Sequence, residues 1–161
     1  MPHMPTLGPR GEGWVAVQAV LLGIAALAGL AGLSDPAWDG PLRVATTLIG
    51  LLLLAAGALQ VVRGSLDLGR NLTPLPHPTA GADLVETGIY ARVRHPIYGG
   101  VILATLGWGA LTAAPVAIAL GAVLGPFFWL KSNVEERWLE ARFAAYPDYR
   151  RRTRRFIAWP G

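Results

Sequence analysis

The residues that could do chemistry fall into two short stretches of the sequence. The first runs Arg94-His95-Pro96-Ile97-Tyr98, and the second contains Lys131 followed one helical turn later by Glu135 and Glu136. An imidazole, a phenol, an ammonium group and two carboxylates can together bind a polar ligand through hydrogen bonds and charge. The histidines are scattered and the glutamates are adjacent, so neither stretch has the spacing of a metal site. The sequence has no cysteine, which excludes thiolate chemistry and disulfides.

Each of these residues also has a less specific interpretation. His95 alone is typical of a helix cap or of the membrane interface, and Tyr90 and Tyr98 alone are typical of an aromatic belt at the level of the headgroups. The glutamate pair alone is typical of a solvated helix face. A functional interpretation therefore depends on whether the fold brings the two stretches together.

The elements that position these stretches are long apolar segments. The chain has 161 residues, of which 53% are apolar and 15% charged, and its mean hydropathy is +0.42. Four segments carry no charge: Trp14–Leu33, Val44–Val62, Ile97–Ala114 and Val116–Leu130. At about 1.5 Å per residue, a helix of twenty residues spans the roughly 30 Å hydrocarbon core of a bilayer. The sequence therefore predicts an all-α integral membrane protein with about four transmembrane helices.

The last two apolar segments are predicted to form a tight hairpin. Only a short turn around Pro115 separates them, so the two helices must run antiparallel. The hairpin then brings His95 and Tyr98 close to Glu135 and Glu136. Pro96 fits the first turn of a helix and disfavours helix at the residue before it, which places His95 at the helix entrance.

Glycines in the third segment suggest space for a ligand. Gly99 and Gly100 lie just inside the predicted helix, and Gly107 and Gly109 lie further along it. Because glycine has no side chain, we expect these positions to leave a groove for a flat ligand or a lipid.

Charge predicts the orientation of the helices. With four crossings, all but Arg43 of the 14 basic residues lie on one side of the membrane. The positive-inside rule places that side in the cytoplasm. The chain is thus one domain, predicted to comprise two N-terminal spans (1–62), a cytoplasmic loop (63–96), the hairpin (97–130) and a cytoplasmic C-terminal segment with a helix (131–161). Both termini are expected in the cytoplasm, with the protein in the cytoplasmic membrane.

The basic tail from Arg150 to Arg155 has a simple interpretation in this topology. It is expected to lie against anionic lipid headgroups, which attract each nearby basic residue by about 1 kcal/mol. The net charge of +4 therefore does not indicate a nucleic-acid partner.

The longest motif joins these residues into one pattern. It reads Leu-Val-x-x-Gly-x-Tyr-x-x-x-Arg-His-Pro-x-Tyr-x-Gly from Leu84 to Gly100 and is followed by the hairpin and then Glu-Glu. The pattern resembles the isoprenylcysteine carboxyl methyltransferase family, which is itself similar to the bacterial phospholipid methyltransferases. The resemblance covers about Gly69 to Pro160, while the first two apolar segments are similar only in character.

The resemblance implies a membrane enzyme that transfers a methyl group from S-adenosylmethionine to a lipophilic substrate such as a membrane lipid. It assigns no catalytic residue and implies no metal. Carried over to this sequence, it implies cofactor contacts at Leu84, Val85, Tyr90, His95, Pro96, Ile97, Tyr98, Glu135 and Glu136. Lys131 stands where the carboxyl methyltransferases have an arginine for the substrate carboxylate, so it is a candidate substrate-binding residue. Lysine lacks the bidentate fork of arginine, which leaves the methyl acceptor open.

Two other functions stay open from the sequence. A membrane reductase of the sterol-reductase type, which uses NADPH, is similar in its C-terminal half but is usually much longer. A non-enzymatic small membrane protein, such as a scaffold or a permease subunit, would not require the polar cluster at the mouth of the hairpin. The glutamate pair after a two-helix hairpin favours the methyltransferase.

Overall fold

The computed structural model describes residues 7–79 and 81–157, and their fold is all-α. Five α-helices follow one another within these residues: α1 (Glu12–Ser34), α2 (Gly40–Leu68), α3 (Pro96–Leu111), α4 (Pro115–Arg142) and α5 (Tyr146–Arg152). Two short 3₁₀ segments, Gly69–Asn71 and Gly88–Ala91, lie in the connection between α2 and α3. Each apolar stretch of the sequence thus becomes one helix, and the predicted C-terminal helix is present as α5.

Three of the described helices are long and apolar enough to cross a membrane. They are α1, α2 with the 3₁₀ turn that follows it, and α4. The apolar helix α3 has 16 residues, which corresponds to a length of about 24 Å. It is therefore shorter than the roughly 30 Å hydrocarbon core. The prediction of an all-α membrane protein is confirmed, with α3 as the short member of the set.

Glycines let α2 and α3 pack with their backbones in contact. A Cβ atom added at Gly57 of α2 would lie 2.5 Å from the carbonyl oxygen of Gly100, and one added at Gly107 of α3 would lie 2.6 Å from the amide nitrogen of Leu54. Such distances leave no room for a side chain, as in other small-residue contacts between membrane helices.

The prediction of a ligand groove at the α3 glycines is therefore wrong. Gly100 and Gly107 face the backbone of α2, Gly109 faces the backbone of α4 near Ile118, and Gly99 faces the carbonyl group of Phe156. The chain itself fills the space that the glycines leave. Their physical role is close helix packing, and a cavity for a ligand has to lie elsewhere.

The predicted hairpin forms through a turn of three residues between α3 and α4. Ala113 has a positive φ of 52°, which lets the chain reverse within this short distance. The amide of Ala114 donates to the carbonyl oxygen of Gly109 at 2.9 Å. Helix α4 then continues through Pro126 to Arg142, well beyond the end of the predicted span at Leu130. Lys131, Glu135 and Glu136 consequently lie on one continuous rigid helix.

Candidate functional site

The loop before α3 is fixed by contacts to α2. Gly88 has a φ of +59°, which glycine adopts without strain, and it starts the 3₁₀ segment that carries Tyr90. The Asp67 carboxylate of α2 accepts a hydrogen bond from the amide of Ile89 at 2.7 Å. As predicted, α3 begins at Pro96, so that His95 is the residue immediately before the helix.

The C-terminal segment holds the same loop from the other side. An isolated parallel bridge joins Val93 to Arg154, and the amides of Arg94 and His95 donate to the carbonyl oxygens of Arg154 and Arg155, both at 2.9 Å. These backbone bonds fix the chain direction at the entrance to α3. The side chain of His95 is buried as a result, with a relative exposure of 3%.

Gln60 of α2 ties the two segments together from within the bundle. Its Nε2 donates to the carbonyl oxygen of Pro96 at 2.9 Å and to that of Phe156 at 2.6 Å. A polar side chain among apolar helices is costly unless it is hydrogen-bonded, and here both of its bonds connect parts of the site.

Glu136 lies at the centre of a buried ion-pair cluster. Its Oε1 accepts from Arg94 Nε at 2.7 Å and lies 3.0 Å from His95 Nε2. Its Oε2 lies 3.3 Å from Arg155 Nη2 and 3.4 Å from Arg150 Nε. The carboxylate therefore links α4 to the α3 entrance and to the C-terminal segment.

Glu135 faces a different set of neighbours. Its Oε2 accepts a hydrogen bond from the Tyr98 hydroxyl at 2.6 Å and lies 3.8 Å from His95 Nδ1. The Tyr98 ring stacks on the His95 ring, with centroids 5.4 Å apart, and on the Phe128 ring, with centroids 4.6 Å apart. These stacked rings hold Tyr98 in place beneath the carboxylate. The two stretches singled out in the sequence are thus in direct contact.

Lys131 is buried one turn before Glu135. Its Nζ donates to Gln18 Oε1 at 2.7 Å and to the carbonyl oxygen of Pro74 at 2.9 Å. It also lies 5.2 Å from the centre of the Tyr98 ring. Within the described part of the chain, no carboxylate lies within 4.0 Å of the ammonium group, although the Glu135 charge one turn away favours its charged form.

A cavity of about 370 Å³ opens among these residues. Its size lies within the range of about 300–1,000 Å³ that is usual for small-molecule sites. Of the residues predicted to contact a cofactor, all but Pro96 and Glu136 line it: Leu84, Val85, Tyr90, His95, Ile97, Tyr98 and Glu135. Lys131 lines it as well. Pro96 and Glu136 are buried beside the cavity and contribute no wall to it.

Several lining residues were not among the predicted ligand contacts. Gln18 comes from α1, Leu68 from α2, Arg94 from the loop and Val101 from α3. The others lie in the segment after α2 and in the chain beyond Glu135: Asn71, Leu72, Thr73, Pro74, Leu75, Pro76, Pro78, Ala82, Asp83, Leu139, Phe143, Tyr146 and Tyr149. The prolines between 74 and 78 are a signal of a stiff loop and could have indicated a fixed wall. Gln18 has no such local signal, because its place depends on how α1 packs.

Buried tyrosines close the cavity on the side of α5. The Tyr149 hydroxyl donates to the carbonyl oxygen of Tyr90 at 2.9 Å. Burial raises the pKa of Tyr90 and of Tyr149 above that of a free phenol, and nearby carboxylates (Glu135 for Tyr90, Glu86 for Tyr149) raise it further. Both hydroxyls therefore stay protonated at physiological pH and can donate a hydrogen bond.

The arginines of the basic tail bind protein groups, and one of them, Arg155, does so in a largely buried position. Arg155 Nη1 donates to Asn133 Oδ1 at 2.7 Å and to Ser132 Oγ at 3.0 Å, and its side chain is only 17% exposed. Arg152 pairs with Glu86 at 2.7 Å. The expectation that this tail lies against lipid headgroups is therefore wrong for Arg155.

Comparison with known proteins identifies the relatives of this chain. The sequence pattern of the family described as phospholipid methyltransferase matches residues 45–146, well over half of the chain. The cobalt-zinc-cadmium resistance protein CzcN of Cupriavidus metallidurans is 31% identical over 127 residues, which cover 76% of this chain and 52% of that protein. The nickel-cobalt-cadmium resistance protein NccN of Alcaligenes xylosoxydans xylosoxydans is 30% identical over 148 residues, which cover 89% of this chain and 63% of that protein.

The matched region coincides with most of the site. Residues 45–146 contain the loop before α3, the hairpin and both glutamates, whereas α1 and most of α5 lie outside it. The chain spans about half to two thirds of the length of the two resistance proteins. On the extent of the family match, the chain belongs to the phospholipid methyltransferase family.

Proposed function

We propose that this protein transfers a methyl group from S-adenosylmethionine to a lipophilic acceptor at the cytoplasmic face of the membrane. The observation that carries the proposal is the cavity at the mouth of the α3–α4 hairpin, where Glu135, Tyr98 and Lys131 lie beside apolar walls. Membership of the phospholipid methyltransferase family supports methyl transfer as the reaction. Family membership leaves the methyl acceptor and the cofactor open, and we propose both here.

The residues around the cavity fit the proposed cofactor. The Glu135 carboxylate can accept hydrogen bonds from ribose hydroxyls or from an ammonium group. Leu84, Val85 and Ile97 supply apolar walls against which a flat ring can pack. When bound, S-adenosylmethionine supplies an activated methyl group, so the protein mainly has to hold and orient the reactants.

We assign different roles to the residues that the resemblance implies as cofactor contacts. Those that line the cavity are proposed contacts, with Tyr90, His95 and Tyr98 at its polar side. Pro96 and Glu136 are proposed as positioning residues. Pro96 starts α3, and Glu136 binds the side chains of Arg94 and His95.

A second cavity supports a lipophilic acceptor. It has a volume of about 260 Å³ and lies among α1, α2 and α3, lined by Leu22, Ala25, Ala26, Val61, Val101, Ala104, Thr105 and Trp108. Val101 lines both cavities. An apolar chain in the second cavity could therefore reach with its polar end into the first cavity, which Lys131 lines. We propose that the Lys131 ammonium binds an anionic group of the acceptor.

Ligand titration and a transfer assay test the proposal. We expect the purified protein to bind S-adenosylhomocysteine, with heat release in calorimetry, and not to bind NADPH. With S-adenosylmethionine that is radiolabelled in its methyl group, the label should appear in a membrane lipid extract and not in a pool of water-soluble metabolites. NADPH binding without S-adenosylhomocysteine binding would favour the reductase, and binding of neither would favour a non-enzymatic protein.

The acceptor part has its own test. Val101→Phe fills the junction between the cavities, so it should lower labelling of lipid while S-adenosylhomocysteine still binds. Gly23→Leu is the matched control, because a side chain at Gly23 meets nothing within 4 Å. Equal labelling by both variants, or labelling confined to soluble metabolites, would contradict the lipophilic acceptor.

The proposed orientation follows from the basic asymmetry of the sequence. A cytoplasmic reporter fused after Gly161 should be active, and a tag inserted near Asp39 should be reachable from outside intact cells. The reason is that basic residues resist translocation across the membrane. A tag at Asp39 that is protected in intact cells would contradict this orientation.

A further inference from the structure

Tyr146 has a buried hydroxyl that nothing in the described part of the chain satisfies. The residue is 1% exposed, it borders the larger cavity, and its hydroxyl has no hydrogen-bond partner among the described residues. Tyr149 on the same helix differs, because its hydroxyl donates to the carbonyl oxygen of Tyr90. Buried polar groups are nearly always paired, so the Tyr146 hydroxyl is a candidate for binding a ligand.

A second donor borders the same cavity. The Arg94 guanidinium uses Nε for Glu136 and Nη1 for the carbonyl oxygen of Thr153, both at 2.7 Å. Its third nitrogen, Nη2, makes no hydrogen bond within residues 7–79 and 81–157. Arg94 and Tyr146 both line the larger cavity, and the charge of Arg94 acts on the Tyr146 hydroxyl.

Both groups are suited to an anionic oxygen. Burial raises the pKa of Tyr146, and the Glu136 and Glu135 carboxylates raise it further. The hydroxyl is therefore a neutral donor at physiological pH. A hydroxyl and a guanidinium nitrogen together match the two oxygens of a carboxylate, and hydrogen bonds to a charged acceptor are the strong ones.

We propose that the Tyr146 hydroxyl and Arg94 Nη2 bind the carboxylate at the amino-acid end of the cofactor. This inference rests on the proposed function, in which the cofactor is S-adenosylmethionine. Glu135, with its negative charge, then remains for the ammonium group or the ribose hydroxyls. Tyr146 lies at the very end of the region that matches the family, and the sequence motif around His95 does not include it.

Titration with two ligands tests the assignment. S-adenosylhomocysteine carries the carboxylate, and methylthioadenosine has the same nucleoside without the amino acid. In Tyr146→Phe we expect affinity for S-adenosylhomocysteine to fall by about 10-fold or more, since a bond to a charged group is lost. Affinity for methylthioadenosine should not change. Thr112→Val is the matched control. It also removes a buried hydroxyl, one that donates a hydrogen bond to the carbonyl oxygen of Trp108 at the other end of α3.

The unfolding temperature without ligand gives an independent readout. Removing an unpaired hydroxyl should leave the stability of the free protein unchanged or raised. A lower unfolding temperature for Tyr146→Phe would mean a structural role and would overturn the proposal. Wild-type affinity for S-adenosylhomocysteine in this variant, or equal loss for both ligands, would also overturn it and leave the proposed function intact. Failure of the unmodified protein to bind S-adenosylhomocysteine would overturn both.

Discussion

Two adjacent carboxylates on α4 have opposite surroundings. The side chain of Glu136 is 3% exposed. One of its oxygens contacts the Arg94 guanidinium and the His95 ring, and the other contacts the guanidinium groups of Arg155 and Arg150. The side chain of Glu135 is 25% exposed and lines the cavity. Successive residues of a helix point about 100° apart, so one faces the C-terminal segment and the other faces the cavity.

The difference shows how one motif can serve two purposes. A buried charge is costly unless it is paired, and Glu136 meets that condition through several partners. Among the described residues, Glu135 accepts one hydrogen bond, from Tyr98, which leaves its other oxygen able to accept from a ligand. A Glu-Glu pair in the sequence is thus one residue that holds the site together and one that is available for binding.

The largest effect is expected on stability, when the buried glutamate, Glu136, is neutralised. Glu136→Gln leaves the charges of Arg94 and Arg155 without their partner in a buried position. Breaking a buried ion pair by removing one partner costs about 3–5 kcal/mol. We expect the unfolding temperature in detergent to fall strongly. An unfolding temperature equal to that of the unmodified protein would mean that the cluster contributes little to stability.

Neutralising Glu135, the glutamate that lines the cavity, should lower ligand affinity and not stability. Glu135→Gln keeps the shape and removes the charged acceptor, so affinity for S-adenosylhomocysteine should fall by about 10- to 150-fold. The unfolding temperature should change little, because Glu135 is partly exposed and has a single hydrogen bond from the protein. Calorimetric titration beside thermal unfolding measures both. A loss of stability without a loss of affinity would reverse the roles assigned to the two glutamates.

A smaller effect is expected from the neighbour that orients Glu135. Tyr98→Phe keeps the ring that stacks on His95 and Phe128 and removes the hydroxyl. One hydrogen bond contributes about 1 kcal/mol, which corresponds to roughly 5-fold in affinity. The same titration measures it. An effect as large as that of Glu135→Gln would indicate that the hydroxyl contacts the ligand directly.

The helices could be predicted from sequence because the relevant signals are local. Uncharged apolar runs predicted four helices, and Pro96 indicated the start of α3. The short turn near Pro115 indicated that α3 and α4 form a hairpin. The function of the α3 glycines could not be predicted, since a missing side chain looks the same whether a ligand or another helix fills the space. Here Gly100 and Gly107 are filled by α2.

The site could be predicted in part for a similar reason. The contact between Tyr98 and Glu135 follows from the hairpin, which sequence spacing reveals. The bridge between Val93 and Arg154 and the bonds of Gln60 join residues far apart in the chain, and no local pattern indicates them. Arg155 was therefore interpreted as a lipid-binding residue, although it pairs with Glu136. Tyr146 was missed because its significance depends on burial.

The smallest effect is expected from neutralising Glu140, a third glutamate of α4. Glu140 has the same charge as Glu136 but is more exposed, so the comparison tests whether burial explains the effect of Glu136. Glu140 lies one turn after Glu136 and pairs with Arg150 at 2.6 Å, with the two side chains 36% and 46% exposed. Exposed ion pairs contribute only about 0–1 kcal/mol because water and salt screen them. Glu140→Gln should therefore leave the unfolding temperature and the affinity for S-adenosylhomocysteine almost unchanged, in contrast to Glu136→Gln and Glu135→Gln respectively. If it instead destabilised the protein as much as Glu136→Gln, negative charge anywhere on this part of α4 would suffice. Burial would then not explain the difference between the two adjacent glutamates.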